Sequence, residues 1–448
     1  MKYLALWFGS PPVTRRAYAT SGFGLMAFKY AVEALVVHRV TGRWFSPLDY
    51  LNPLLTARQT ALAGNDWLLA AMAVWTLPFL WIGVSMTWRR LEDAGCPPLL
   101  AALYFVPLLN YLLMLTLCGL PSRLRPSTER PGSVAAGARE GMRSALLGAA
   151  LGTAIALLMT GASVLVFGAY GTTLFAATPF VMGAASAFVY NAGARRSLGT
   201  TLLVATGAVV LAGFAILLFA LEGVLCLAMA APLAIVLALM GAVAGRALAL
   251  RSAAPSPGLA ALVFPLPLIA GLQGAAPPRL EPHVVLTVVE IDAPPEVVWR
   301  HVLAFSTVPE PPAWIFRLGI AYPQRASIVG RGAGAVRRCE FSTGAFVEPI
   351  TVWDEPRRLA FDVVRQPPTM TELSPYRHVA APHLDGYLVV RSGEFRLLDL
   401  PGARTRLEGR TFYEMKVAPA AYWALWSDAL IHAIHQRVLA HIKTRAEG

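Results

Sequence analysis

Charge is what this chain has least of. Of 448 residues only 14% are charged, while 56% are hydrophobic and the mean hydropathy is +0.55. Soluble domains carry about 25% charged residues. That shortfall excludes an ordinary soluble protein and leaves room for one water-soluble domain beside a membrane part. Cysteine is scarce too. Cys96, Cys118, Cys226 and Cys339 form no CxxC pair, and the first three lie in or beside apolar runs, where a thiol behaves as a small hydrophobe. Neither a disulfide scaffold nor a zinc site is supported, and no metal or cofactor is expected. There is no GxSxG, Walker loop or HExxH, and no GxGxxG after a strand. The alternate glycines of Gly330–Gly334 precede a strand, so they lack the phosphate-loop setting. The N-terminal Met1–Trp7 run is too short for a secretory signal, and no small-residue cleavage site follows it.

The one abundant charge is positive, a formal +12. Residues 1–278 hold 18 Lys/Arg against 8 Asp/Glu, whereas residues 279–448 hold 20 against 18. The excess therefore sits in short loops between apolar runs, where it sets membrane topology. No aromatic-basic motif or zinc-finger spacing accompanies it, so nucleic acid is not the expected partner.

A hydrocarbon core about 30 Å thick needs about 20 apolar residues as a helix. Candidate spans are Ser21–Val40, Trp67–Trp88, Pro98–Leu120, Ala145–Tyr170, Thr172–Ala192, Thr200–Leu221, Gly223–Ala244 and Gly258–Leu272. That makes eight, with seven as the alternative, because Gly258–Leu272 is short and holds two prolines. Lys29 and Glu33 stand at i, i+4 and read as a neutralised pair on one helix face. Spans from Ala145 onward are rich in Gly, Ala, Ser and Thr, which lets helices pack closely. Glu222, in a very short connection, is expected at a water-facing interface.

Arg123, Arg125, Arg130, Arg139 and Arg143 crowd one loop, Arg195-Arg196 mark a second, and Arg246 and Arg251 a third. The connections near Tyr170 and Glu222 carry no Lys or Arg. The three basic loops should share the cytoplasmic side. The Lys2, Arg15 and Arg16 end and the Arg89-Arg90 loop prefer that side as well. All these demands are met only if Pro98–Leu120 is re-entrant or two short helices, which Pro107 and Asn110 would allow. If Gly258–Leu272 crosses, the C-terminal domain faces outward; if it dips into the interface, that domain is cytoplasmic.

Arg89-Arg90-Leu91-Glu92-Asp93, followed by an apolar proline-bearing segment, resembles the membrane family called domain of unknown function 805. Glu92 stands where that family usually has histidine. The resemblance covers roughly residues 10–120 and implies a small integral membrane module without known chemistry.

After a proline-rich linker, Val284–Ile291 reads as a strand by its β-branched content, and Pro294-Pro295 opens a helix with Glu296 at its positive end. Strands are expected at Ala326–Val329, Gly334–Ser342, Ala345–Trp353, Leu359–Val364, Tyr387–Leu398 and Thr405–Val417. A helix over Pro419–Ala446 closes the chain, with Trp423, Leu430, Ile431, Ile434, Val438 and Ile442 on one face. That face needs a sheet to bury it, which gives an α+β helix-grip arrangement. The run Ile291–Trp299, Gly330–Gly334, Val352–Pro356 and Gly402–Tyr413 resemble landmarks of the SRPBCC superfamily, which includes START-like and polyketide cyclase/dehydrase-like proteins. The resemblance implies a hydrophobic cavity between sheet and C-terminal helix for lipids, polyketides or other apolar ligands, without fixing one reaction.

Candidate ligand-binding residues follow. Strand alternation puts Arg337, Cys339 and Phe341 on one face and Glu340 on the other, with Phe346, Glu348 and Ile350 sharing a face of the next strand. Glu340 or Glu348 beside Phe341 or Phe346 would have the raised pKa of an acid or base; cross-strand pairing with arginine on the outer face is the competing reading. The long loop Pro367–Asp385 brings Glu372, Tyr376, His378 and His383, as a lid or as a solvated loop. Trp314 and Phe316 would line the mouth or meet lipid. Asp428, His432 and His435 share a helix face beside the apolar stripe and read as a pairing face rather than a metal site.

The expectation is thus an N-terminal membrane module (1–120), further transmembrane helices (121–274), a linker (275–283) and a helix-grip domain (284–448). Its partners are a bilayer, expected to be a bacterial inner membrane, and a lipid or apolar small molecule. Binding is favoured over catalysis; a cyclase, dehydratase or hydrolase, or a membrane-coupled sensor, is the alternative.

Overall fold

The computed structural model describes residues 12–52, 62, 66–106, 108–122, 134–251, 263–275, 280–308, 313–374, 382–384 and 386–448. The chain forms two compact units. One comprises Met1–Ala162, Ala176–Glu222 and Ala230–Ile269; the other comprises Ser163–Phe175, Gly223–Met229 and Ala270–Gly448.

In the first unit, α1 (Arg15–Thr41) starts on a Thr14 cap and stops at Gly42, whose φ of 69° suits glycine. Then come α2 (Asp66–Ala94), α3 (Leu109–Gly119), α4 (Val134–Gly161), α5 (Thr178–Asn191), α6 (Leu198–Leu218) and α7 (Val224–Arg251). Among the described residues, six helices are long and apolar enough to cross a membrane, fewer than the eight expected. Pro98–Leu120 is the first reason. It splits into a 3-10 helix, Pro98–Phe105, and the 11-residue α3. Gly258–Leu272 is the second: its described helix, α8, covers only Pro265–Ala275.

The split segment begins and ends at one place. Arg90, fully buried, donates from Nε to the Leu117 carbonyl at 3.0 Å and from its terminal nitrogens to the Leu120 carbonyl and the Asp93 carboxylate. Ser122 donates to Asp93, and Arg143 donates to the Ala94 and Gly95 carbonyls at 3.3 and 3.2 Å. Helix C-termini leave carbonyls unsatisfied, and here arginines satisfy them. The Arg-Arg-Leu-Glu-Asp motif is therefore a structural clamp that returns the chain to the face it left.

Lys29 and Glu33 form the pair expected of them, buried, with the ammonium 5.1 Å from the Tyr50 ring centre. Small residues let α4, α5 and α7 touch: a Cβ on Gly183 would collide with the Ala238 carbonyl, and one on Gly148 with that of Ser186. Glu222, expected in water, is buried, as are its neighbours Phe219 and Leu221.

The second unit is built on one antiparallel sheet. Its strands are β1 (Glu281–Ile291), β2 (Pro323–Val329), β3 (Val336–Phe341), β4 (Gly344–Asp354), β5 (Arg358–Asp362), β6 (Leu388–Leu400) and β7 (Arg404–Met415), in the order β1-β7-β6-β5-β4-β3-β2. Between β1 and β2 lies α9 (Pro295–Leu303), and α10 (Ala420–Glu447) closes the chain. Helix α9 forms because proline is tolerated at its first position, and Glu296 and Arg300/His301 suit its two ends. It buries Val298, Trp299 and Val302 in a core with Ile291, Leu359, Leu407, Leu439 and Ile442. Each such side chain stabilises by about 1.5–3 kcal/mol, and Trp299→Ala would cost about 3–5 kcal/mol.

Helix α10 uses its apolar face twice. The C-terminal part, Val438, Leu439 and Ile442, covers the sheet core. The N-terminal part, Trp423, Trp426, Leu430 and Ile434, joins a separate cluster with Phe316, Ile320, Leu225 and Met229. Segment 163–175 packs in the same unit: Tyr170 accepts a 2.9 Å bond from the Ala418 amide, and Phe175 stacks edge-on with Trp423 at 4.8 Å.

Candidate functional site

Among the described residues, the inner surface of the sheet carries the ion pair Arg337–Glu348. In the β3–β4 register Arg337 stands opposite Glu348 and Cys339 opposite Phe346. Alternation sends Arg337, Cys339, Glu348 and Ile350 inward together. Arg337 and Glu348 are bridged, with only 2% and 7% of their side chains exposed. The guanidinium lies 5.6 Å from the ring centres of Phe361 and Phe395 and 5.8 Å from that of Phe305, within cation–π range. Burial pushes the Glu348 carboxyl up, with Arg337 opposing. Burial works against the charge on Arg337, but Glu348 outweighs it and the guanidinium stays protonated. Burial pushes the Cys339 thiol up to about 12, so it is no nucleophile. Arg337 Nε–H has no acceptor among the described residues.

Glu340 points the other way. It takes two bonds from Arg325, at 2.6 and 2.9 Å, on the outer face, and that hydrogen-bonded partner holds its carboxyl below the usual range. This position removes it from the interior. Glu348 does pair with arginine across strands, but on the inner face rather than the outer one. Phe341 and Phe346 pack ring to ring at 4.7 Å against the core. Phe316 is buried in the second cluster, whereas Trp314 is 71% exposed. Tyr376 and His378 lie outside the described residues.

Along α10 the polar residues pair with the sheet. His435 receives or gives bonds at both ring nitrogens, to Thr287 at 3.0 Å and Thr411 at 2.7 Å. Burial, then His432, pushes its pKa down to about 4. Tyr413 donates to Asp428 at 2.6 Å, and burial raises the phenol. These contacts make the Asp428–His432–His435 face a pairing face.

A long helix gripped by an antiparallel sheet, over an apolar interior with a buried ion pair, is a helix-grip domain. Residues 282–447 match the family described as polyketide cyclase / dehydrase and lipid transport. Residues 13–128 match the family described as protein of unknown function (DUF805). No curated protein matches the chain. Solved structures similar to the cyclase/lipid-transport domain include a structural-genomics protein from Nitrosospira multiformis, at 19% identity over 36% of this chain and 94% of that one, TM-score 0.22. Norcoclaurine synthase from Thalictrum flavum, in complex with dopamine and hydroxybenzaldehyde, is 11% identical over 37% and 86%, TM-score 0.25. The Zhui aromatase/cyclase from Streptomyces sp. R1128 is 15% identical over 38% and 93%, TM-score 0.23. Likeness at this level carries no argument about ligand or reaction.

Two of the loop residues picked from the sequence come together in the second unit, and a third joins them. Cys226, in the first turn of α7, lies 2.6 Å from Glu372 Oε1 and 2.9 Å from His383 Nε2. The Glu372 and His383 atoms are 3.6 Å apart. The backbone around Glu372 is pinned on both sides, by Thr371 N–H to the Gly319 carbonyl at 2.8 Å and by Val224 N–H to the Leu373 carbonyl at 2.9 Å. The Tyr170 ring stands edge-on to His383 at 5.2 Å.

Sequence reasoning missed Cys226 as a site residue, because nothing local links it to a loop about 150 residues on. Arg337 was missed as a buried partner although the signal was present: it shared a face with Cys339, and Glu348 shared one with Ile350. Only the register says that those two faces are the same surface.

Proposed function

We propose that the chain is a membrane-embedded binding protein whose helix-grip domain takes an apolar small molecule or lipid on the extracytoplasmic side. The observation that carries this reading is the second apolar cluster. At the end of the grip distant from the Ile442 core, Phe316, Ile320, Trp423, Trp426 and Leu430 pack with Leu225 and Met229 of the first turns of a membrane-spanning helix. An apolar ligand leaving a bilayer would meet this apolar cluster at the end of the grip. Burial of ligand surface at about 25 cal/mol per Å² supplies the affinity. Such a ligand would contact Phe341 and Phe346 of the grip, and the unanswered Nε–H of Arg337 beside Glu348 would favour a ligand with one hydrogen-bond acceptor.

The arginine pattern of the connections supports that side. Segments 163–175 and 223–229 hold no Lys or Arg, whereas Arg139, Arg143, Arg195, Arg196, Arg246 and Arg251 mark the opposite helix ends. Within the second unit, Thr173 N–H donates to Gln273 at the end of α8. The neutralised Arg337–Glu348 pair and the inert Cys339 favour binding over acid–base or nucleophilic chemistry.

The test is native mass spectrometry of the full chain released from detergent after incubation with a total lipid extract. Retention of one apolar molecule per chain supports the reading. A bare chain at every lipid concentration overturns it.

A further inference from the structure

We propose that Cys226, Glu372 and His383 form a binding site for a zinc-class divalent metal ion. The three donors come from two segments far apart in sequence, and their ligand atoms lie within 4.8 Å of one another. Thiolate, imidazole and carboxylate are the donor types that zinc uses. Zinc bonds of about 2.3 Å to sulfur and about 2.0–2.2 Å to nitrogen and oxygen, at tetrahedral angles, place donors about 3.3–3.6 Å apart. The His383 Nε2 to Glu372 Oε1 separation of 3.6 Å already fits. The sulfur, at 2.6 and 2.9 Å from its neighbours, needs to retreat by less than about 1 Å, within reach of one Cys side-chain rotation.

Charge points the same way. The Glu372 side chain is 1% exposed, and its Oε2 has no hydrogen-bond partner among the described residues. A buried carboxylate oxygen left unanswered is costly. A divalent cation between the Cys226 thiolate and the Glu372 carboxylate removes the repulsion between the two anions.

A cysteine-nucleophile triad is the competing use of these residue types, and the geometry disfavours it. In a relay the acid orients the imidazole through the nitrogen that the nucleophile does not use. Here Glu372 Oε1 approaches both the sulfur and the same Nε2 that faces the sulfur. That is a triangle around a point and provides no proton path.

The site has a mechanical consequence. Cys226 sits in the first turn of α7, while Glu372 and His383 flank residues 375–381 of the long loop. A metal ion would tie both ends of that loop to the start of a membrane helix, beside the Phe316–Trp423 cluster.

The experiment uses the full chain in detergent, loaded with Zn2+ or with Co2+ as a visible probe and freed of excess metal by gel filtration. We expect one metal per chain and a cobalt–thiolate charge-transfer band. Cys226→Ser loses the band and the metal, while Cys96→Ser, Cys118→Ser and Cys339→Ser keep both. His383→Ala lowers zinc affinity at unchanged elution volume, and Glu372→Gln does the same. A wild-type chain that takes up neither metal overturns the proposal. So does a band that survives Cys226→Ser or disappears with one of the other cysteines.

Discussion

Arg337 and Glu348 face each other across β3 and β4 inside the grip, an ion pair enclosed by three phenylalanine rings. Breaking a buried pair leaves a charge without compensation, at a cost of about 3–5 kcal/mol, whereas replacing both partners by apolar residues is often neutral. Glu348→Gln should therefore lower the thermal midpoint of the full chain strongly. The double change Arg337→Met with Glu348→Leu should restore most of it. The melting curves of the three proteins, read side by side, check this.

His435 supplies the pH dependence. Its folded pKa of about 4 lies below the unfolded value near 6.5. The folded state therefore binds fewer protons between these values, and stability is full above about pH 6.5 and falls as pH drops towards 4. The loss amounts to about 2–3 kcal/mol. His435→Gln, which keeps a partner for Thr411 or Thr287, should flatten the curve of melting temperature against pH in this window. An unchanged slope would remove His435 from the account.

The Arg90 clamp predicts a re-entrant segment. Its start at Arg90 and its end at Leu120 share one face through direct bonds. Cysteines introduced at Gly95 and Ser122, in a chain lacking its own four, should react with a membrane-impermeant maleimide only from the cytoplasmic side. Labelling of the two positions from opposite sides would show a full crossing. Arg90→Lys should not rescue Arg90→Ala, because lysine lacks the planar fork that reaches several acceptors at once.

The extracytoplasmic side proposed for the helix-grip domain, from the arginine distribution, predicts that the C-terminus lies outside. A cysteine at Gly448 should react with the impermeant reagent on intact cells, with no need for permeabilisation. Protection until the membrane is opened would reverse the orientation.

Much of the fold was legible in the sequence. The strands predicted from β-branched content fall within a few residues of β1 to β7, and α10 spans Ala420–Glu447 where Pro419–Ala446 was expected. Period-2 and period-3.6 patterning survive folding because each element buries one face. The split of Pro98–Leu120 was legible only as a conflict between two arginine loops, since hydropathy cannot tell a crossing from a hairpin. The site was less legible. Face sharing could not decide which side of the sheet was inside, so Glu340 and Glu348 looked equivalent. Cys226 carried no signal at all, because its partners are set by how residues 223–229 pack on the loop.

The central claim is ligand capture by the grip, and retention of an apolar molecule by the intact chain tests it most directly. Native mass spectrometry of the wild-type chain, loaded from a lipid extract, should show one bound molecule carrying a hydrogen-bond acceptor. Arg337→Met with Glu348→Leu should shift the bound population towards molecules without one. A wild-type chain that binds nothing, or a double variant that retains the same molecules in the same proportions, would contradict the account.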